Sequence, residues 1–305
     1  MQPLKTSPNN KFSFTLKFML KIIRNGELAY AVNWRQAVPS PVGSFARRLL
    51  RSVTLTTLAE IQKASSRNFL RAIYCHYVFD DQREQFEEII TALKKIGTFV
   101  DTDTSLEMLA GKRAIDGRYL HLSFDDGFRN IFKNAAPILQ RQQVPAAFFV
   151  PTSLMEANWQ QTADYCQLVH MTGVTEMVNW EELQEMSRMG FEIGSHTRTH
   201  ARFSAISQNP ALLEAEIIGS KHDLEDRLGK ECKYIAWPFG EQSDADKLSL
   251  QMTQQAGYRG CFSAVRGTIN PQTTNLFQIP RHHFEAESPL AHIKGFARGM
   301  WEGRA

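Results

Sequence analysis

The sequence predicts an α/β protein, with a parallel, barrel-like sheet over residues 72–305 preceded by a basic, mainly helical extension over residues 1–71. Three observations carry this reading. From residue 72, apolar runs of strand length alternate with segments of helical periodicity, the pattern of parallel strands joined by crossover helices. The number of these units favours closure of the sheet on itself. Charge also divides the chain: residues 1–71 hold twelve of the 35 Lys/Arg but only Glu27 and Glu60 of the 32 Asp/Glu. A basic head thus precedes an acidic body, and the two halves are expected to have different tasks.

With 43% hydrophobic and 22% charged residues the chain is globular in composition. Cys75, Cys166, Cys232 and Cys261 lie far apart with no CxxC spacing, which argues against a disulfide framework or a zinc ribbon and for a reducing compartment. In the head, "KFSFTLKFMLKIIRNGELAYA" has no uncharged core of signal-peptide length and is too broken to span a bilayer. Read as a helix, it gathers Lys17, Lys21 and Arg24 on one face. Such a helix either lies on an anionic membrane surface or packs its apolar face on the body, and the sequence leaves both open. The scattered basic residues match no nucleic-acid recognition motif, so no nucleic-acid partner is expected. A cytoplasmic protein, peripheral to the inner membrane, is the expected location. "AVPSPVGS" (37–44) reads as a turn-rich joint, and residues 45–71 read as helical.

The body reads element by element. "AIYCHYV" (72–78) is a strand, and "REQFEEIITALKKIG" is a helix with Phe86, Ile89, Ile90, Leu93 and Ile96 at helical spacing and Gly97 as its stop. "RYLHLSF", "AAFFV", "FEIGS", "YIAW" and "GCFSAV" are further strands, with a short one at 276–279. "NIFKNAAPILQRQ", Trp180–Met189, Ala211–Leu228 and Asp246–Gln255 are helices between them. Residues 154–178 are too long for a plain connection and read as a surface insertion.

In such folds chemistry sits where strands end. "FDDG", "SHTRTH" (195–200), "PFGE" (238–241) and "PRHHF" (280–284) each follow a strand and can converge on one rim. Asp125 and Asp126 would repel one another, and neither helps a strand pack. A cation resolves the conflict, with one acid as a metal ligand and the other as a base. His196 and His200, one helical turn apart, would supply imidazoles from one side. DDG alone is also a turn or cap signal, and HxxxH alone is common on helix surfaces. Their joint placement after strands of one sheet carries the reading.

"LSFDDGF", "GFEIGSHTRTHARF" and "AWPFGE", in that order, resemble the successive motifs of the polysaccharide deacetylase family, the NodB-homology domain of carbohydrate esterase family four. The resemblance runs over residues 72–285 and leaves the head unexplained. It implies a distorted (β/α) barrel and a metal-dependent hydrolase that removes N-acetyl groups from an amino sugar, in a polysaccharide or in a lipid- or nucleotide-linked precursor. It further implies Asp125 as general base, Asp126, His196 and His200 as ligands of a divalent ion, and the Phe239 N–H as an oxyanion donor. Zinc is the first expectation for the ion, with cobalt, nickel or manganese as alternatives. Two departures are visible. The arginine that braces the catalytic aspartate in many members is replaced by Ala236, and Arg281 is a substitute from another strand end. The family's late general-acid histidine has no clear match, which leaves His282 or His283 as candidates. His76 reads as a supporting or core histidine. The alternatives are a carbohydrate-binding pseudoenzyme that lost turnover with the missing arginine, and a deformylase or other amidohydrolase on the same scaffold.

Overall fold

A computed structural model describes residues 23–24, 27–38 and 68–299. In chain order the strands are β1 Ile23–Arg24, β2 Glu27–Leu28, β3 Phe69–Cys75, β4 Thr98–Phe99, β5 Arg118–Phe124, β6 Ala147–Val150, β7 Glu192–Ser195, β8 Tyr234–Ala236, β9 Gly260–Phe262 and β10 His282–His283. The helices are α1 Trp34–Ala37, α2 Arg83–Lys94, α3 Thr102–Leu109, α4 Ala136–Arg141, α5 Trp159–Leu168, α6 Trp180–Arg188, α7 Phe203–Ile206, α8 Pro210–Leu228, α9 Lys247–Gln255 and α10 Leu290–Ala297.

Eight strands form one sheet in the order β10-β3-β5-β6-β7-β8-β9, with β4 beside β5 and every pairing parallel. β9 and β10 do not pair; residues 276–283 span the gap between them. Cys261 N–H donates to Leu276 O at 2.8 Å and Ser263 N–H to Ile279 O at 2.9 Å, after which His282 enters register with Ile73. The result is a distorted barrel, and the expected strand at 276–279 reduces to a single bridge between Phe262 and Ile279.

Side chains alternate across the strands. Leu70, Ala72, Ala147, Phe149, Tyr234, Ala236 and Phe262 fill the interior. Ile73, Leu120, Leu122, Phe124, Phe148, Val150 and Ile235 pack outward under the helices, where α2 buries Phe86, Ile89, Ile90 and Leu93. The helices start on polar caps: Asn179 accepts from the Glu182 N–H at 2.9 Å to begin α6, and Asn209 precedes Pro210 at the start of α8.

Three expectations for the head and insertion are corrected. Ile23–Arg24 pairs antiparallel with Glu27–Leu28, so Arg24 lies in a strand and not in the helix read through it. The intervening residues in sequence, Asn-Gly, are the strongest short hairpin signal. Lys17 and Lys21, the joint beyond Val38 and the helix read over 45–67 lie outside the described residues. The boundary expected at 72 falls inside β3, which starts at Phe69.

Residues 30–38 of the head pack on the body. Ala31 N–H donates to Val174 O at 2.7 Å, Thr172 N–H to Ala37 O at 2.7 Å, and Trp34 N–H to Asp81 Oδ1 at 3.1 Å. Gly173 permits this approach, because a Cβ there would sit 2.3 Å from Gln36 O. The partner of this strap is the supposed surface insertion. Residues 154–178 contain α5, bury Tyr165 and Cys166, and send Val169, His170 and Met171 to line a cleft. No helix among the described residues is long and apolar enough to cross a membrane.

Candidate active site

A cleft of about 380 Å³ opens at the C-terminal ends of the strands. Asp125 and Asp126 enter it from the end of β5, His196 from β7, Phe239 from β8, His76 from β3 and His283 from β10. The rim is therefore the strand-end face that parallel α/β folds leave for chemistry.

The turn after β5 separates the two acids. Asp126 has φ 71°, in the left-handed region that aspartate tolerates better than most residues. The reversal gives the adjacent carboxylates different partners. Asp125 receives two parallel hydrogen bonds from Arg281, Nη1 to Oδ1 at 2.8 Å and Nη2 to Oδ2 at 2.7 Å. Burial alone would raise the Asp125 pKa, but the Arg281 charge outweighs it and holds the carboxyl below its ordinary value.

Arg281 is fully buried in the barrel, where Nε donates to Ser263 O at 2.7 Å, Nη1 also donates to Ser123 Oγ at 3.0 Å, and the Tyr74 ring centre lies 4.2 Å from Cζ. A guanidinium tolerates such a site because its fork is matched bond for bond. Arg281 occupies the bracing place that Ala236 leaves open. Arg281→Met would strand the Asp125 charge in the interior, an effect of about 3–5 kcal/mol. Arg281→Lys keeps the charge but loses the fork. Denaturant unfolding should show a large loss for methionine and a smaller one for lysine, and for lysine kcat should fall more than KM rises. Equal stability of both variants and wild type would contradict the pairing.

Asp126 faces the other way. Its Oδ1 accepts from the Tyr165 hydroxyl at 2.8 Å and lies 3.3 Å from His200 Nε2 and 3.5 Å from His196 Nε2. Despite burial, which would raise it, bonding to the two imidazoles holds Asp126 well below the ordinary carboxylate range. His196 Nδ1 donates to Ala236 O at 2.8 Å, which orients the ring and turns Nε2 toward Asp126. Burial lowers the His200 pKa and favours the neutral ring, the form that ligates.

The two histidines do not sit on a helix. Thr197 and His200 have φ of 65° and 63°, and the rings are 4.8 Å apart. Glu216 of α8 holds this loop, accepting from Arg198 N–H at 3.0 Å, Thr199 N–H at 2.8 Å and Thr199 Oγ1 at 2.6 Å. One carboxylate and two imidazoles, all buried and with ligand atoms within 4.8 Å of one another, are the donor set of a three-ligand divalent site. Three electron-rich atoms converge there, and a cation is the group that fits.

Phe239 has φ 62°, and its N–H has no acceptor among the described residues. Gly240 follows at φ 75°, where a Cβ would sit 2.3 Å from the Ala264 Cβ, so only glycine allows the turn. His282 is not brought to the cleft. Neighbouring strand residues point to opposite faces, and His282 stacks on Phe296 of α10 with centroids 5.7 Å apart. His283 does line the cleft.

Beside His283, the structure gathers His76, read from sequence as a supporting or core histidine, and Glu285, which had no role in that reading. His76 Nδ1 lies 2.6 Å from Glu285 Oε1, and His283 Nε2 lies 2.7 Å from the same atom. Burial works against a charge on His76, but the Glu285 charge and hydrogen bond outweigh it and bring its pKa up to about 9. Glu285 in turn, burial notwithstanding, is held near about 2 by the charge on His76 and the bond from His283. Tyr165, Glu216 and Glu285 were invisible to motif reading; only the two-residue spacing of Glu285 from His283 hinted at a shared face.

Fold and site together define a strand-end hydrolase-type centre with paired acids and a group, Asp126, His196 and His200, that could hold a metal ion. Residues 112–261 match the family model of the polysaccharide deacetylases. The chain is 28% identical over 207 residues to the poly-beta-1,6-N-acetyl-D-glucosamine N-deacetylase of Staphylococcus aureus strain MRSA252, covering 65% of this chain and 66% of that protein. A putative polysaccharide deacetylase of Bacillus subtilis, YxkH, is 22% identical over 179 residues, 58% of this chain and 56% of its own. Among solved structures, IcaB from Ammonifex degensii shares the fold with a TM-score of 0.61 at 20% identity, over 76% of this chain and 98% of its own. Streptococcus pyogenes deacetylase PplD, solved with acetate, does so at 0.60 and 18%, over 74% and 95%.

Proposed function

We propose that the protein hydrolyses the N-acetyl group of an amino sugar in a polysaccharide or its precursor, with a divalent ion, zinc first, held by Asp126, His196 and His200. The observation that carries the reading is the division of labour between adjacent acids: Asp125 on Arg281, Asp126 on two imidazoles and Tyr165. The family match and the Staphylococcus aureus relatives support it. A bound ion of this kind polarises an acyl carbonyl and acidifies water.

The chain's own residues supply the remaining steps. Asp125, kept ionised by Arg281, takes the proton of the attacking water. The Phe239 N–H donates to the oxyanion from a backbone already in place. His76, kept protonated by Glu285, gives a proton to the departing amine, which otherwise leaves poorly. The pseudoenzyme alternative rested on the missing arginine at Ala236, and the Arg281 fork removes that ground.

The test is acetate release from β-1,6-linked N-acetylglucosamine oligosaccharides, beside N-formyl and other N-acyl sugars. Acetate release that exceeds release from the formyl sugars supports the reading; no release from any acyl sugar by metal-loaded protein overturns it. A second expectation concerns pH. A proton donor works only below its pKa, so kcat should fall as pH rises through about 9, where His76 loses its proton. The stabilisation from the His76–Glu285 pair has the same sign: with a folded pKa raised above 6.5, it is complete below that pH and gone above about 9. His76→Gln should lower kcat by about 10²-fold or more and remove the alkaline limb. A wild-type profile flat to pH 10 would move the acid elsewhere.

A further inference from the structure

Proton donation needs one imidazole and one carboxylate, yet the cleft contains a second imidazole on the same carboxylate oxygen. Glu285 Oε1 lies 2.6 Å from His76 Nδ1 and 2.7 Å from His283 Nε2. The rings come from different strand ends, with centroids 4.9 Å apart at 63°. The Glu285 carboxylate is fixed from behind: Cys75 Sγ lies 3.1 Å from Oε2, and the His76 N–H is 3.3 Å from Oε1. Its front is open, because the His76 and His283 side chains are 27% and 38% exposed in the cleft. Two imidazole nitrogens and one carboxylate oxygen lie within 4.8 Å of one another, all from residues outside the Asp126 triad.

We propose that His76, His283 and Glu285 form a second divalent-cation site whose occupation blocks hydrolysis. The donors are those of a three-ligand zinc centre with solvent access for a fourth ligand. Binding displaces the ring protons that face Glu285: His76 releases its Nδ1 proton, His283 takes the tautomer with its proton on Nδ1, and both rings ligate through the freed lone pairs. His76 is then a neutral, metal-bound ring, and its remaining N–H is a far weaker acid than an imidazolium. The blocking effect rests on the His76 role proposed above; the binding itself does not. The ion binds more weakly here than at Asp126, His196 and His200, because the two histidines are partly exposed and both are already hydrogen-bonded to Glu285.

Equilibrium dialysis of metal-free protein against Zn²⁺ tests both sites separately. Wild type should bind two ions, tight then weak. His196→Ala should keep only the weak ion. His283→Gln, which retains a hydrogen-bonding side chain, should keep only the tight one. Saturation of wild type at one ion, or two ions in His283→Gln, overturns the second site and leaves the first standing. Failure of His196→Ala to lose an ion overturns the first site and leaves the second to be judged on His283→Gln. In turnover, wild type should rise to one equivalent of Zn²⁺ and fall beyond it, while His283→Gln shows no fall. An equal fall in both would overturn the inhibitory role.

Discussion

Asp125→Asn is expected to lower kcat by about 10²-fold or more, the scale of a positioned general base, while the protein keeps its metal. Asparagine preserves the size of the side chain and one acceptor for Arg281, so the barrel interior stays filled. Its amide cannot take a proton, and it turns N–H groups toward a guanidinium that offered two donors to two oxygens. One buried hydrogen bond is therefore lost and the fully buried Arg281 guanidinium is left without its counter-charge, at about 3–5 kcal/mol, which denaturant unfolding will register separately from turnover. The proposed ligand set is untouched, because Asp126 makes its contacts on the other side of the turn. Near-wild-type turnover with full metal content would assign the base elsewhere.

His196→Ala should remove the tightly held ion and turnover together. In the proposed site His196 is one of three ligands, and a three-ligand site has no redundancy. Its Nδ1 also anchors the ring on Ala236 O at 2.8 Å, so alanine leaves a buried carbonyl without its donor. His200→Ala should lose the ion as well but leave the Ala236 bond intact, which separates ligand loss from structural damage. Elemental analysis after dialysis makes the comparison. An ion retained tightly in His196→Ala at wild-type stoichiometry would show that these imidazoles are not its ligands.

The alternating body was legible because apolar periodicity and strand ends are local properties of the chain. β5, α2, α6 and α8 fall where the pattern of apolar residues and caps puts them. β4, α3 and α10 were passed over: the first is two residues long, and the last follows the final motif. The positions of Asp125, Asp126, His196, His200 and Phe239 were legible because each follows a strand. The shape of the histidine loop was not. HxxxH spacing matches a helical turn, but two left-handed residues and the Glu216 carboxylate bring the rings together instead. Partner choice over long sequence separations was the hardest to read. Tyr165 reaches Asp126 across 39 residues, and Glu285 reaches His76 across 209. The Arg281 brace lies 156 residues from Asp125, and its expectation came from the arginine missing at Ala236 and the place of Arg281 at another strand end.

The central claim is that Asp126, His196 and His200 hold the ion on which Asp125 depends. Its most direct test is a Zn²⁺ titration of metal-free protein, with acetate release from N-acetylglucosamine oligosaccharides measured at each loading. The account predicts that wild-type turnover climbs in proportion to the first bound equivalent, and that Asp125→Asn binds that equivalent but stays at background. Metal-independent acetate release, or full turnover in a protein whose His196 and His200 are both alanine, would contradict it.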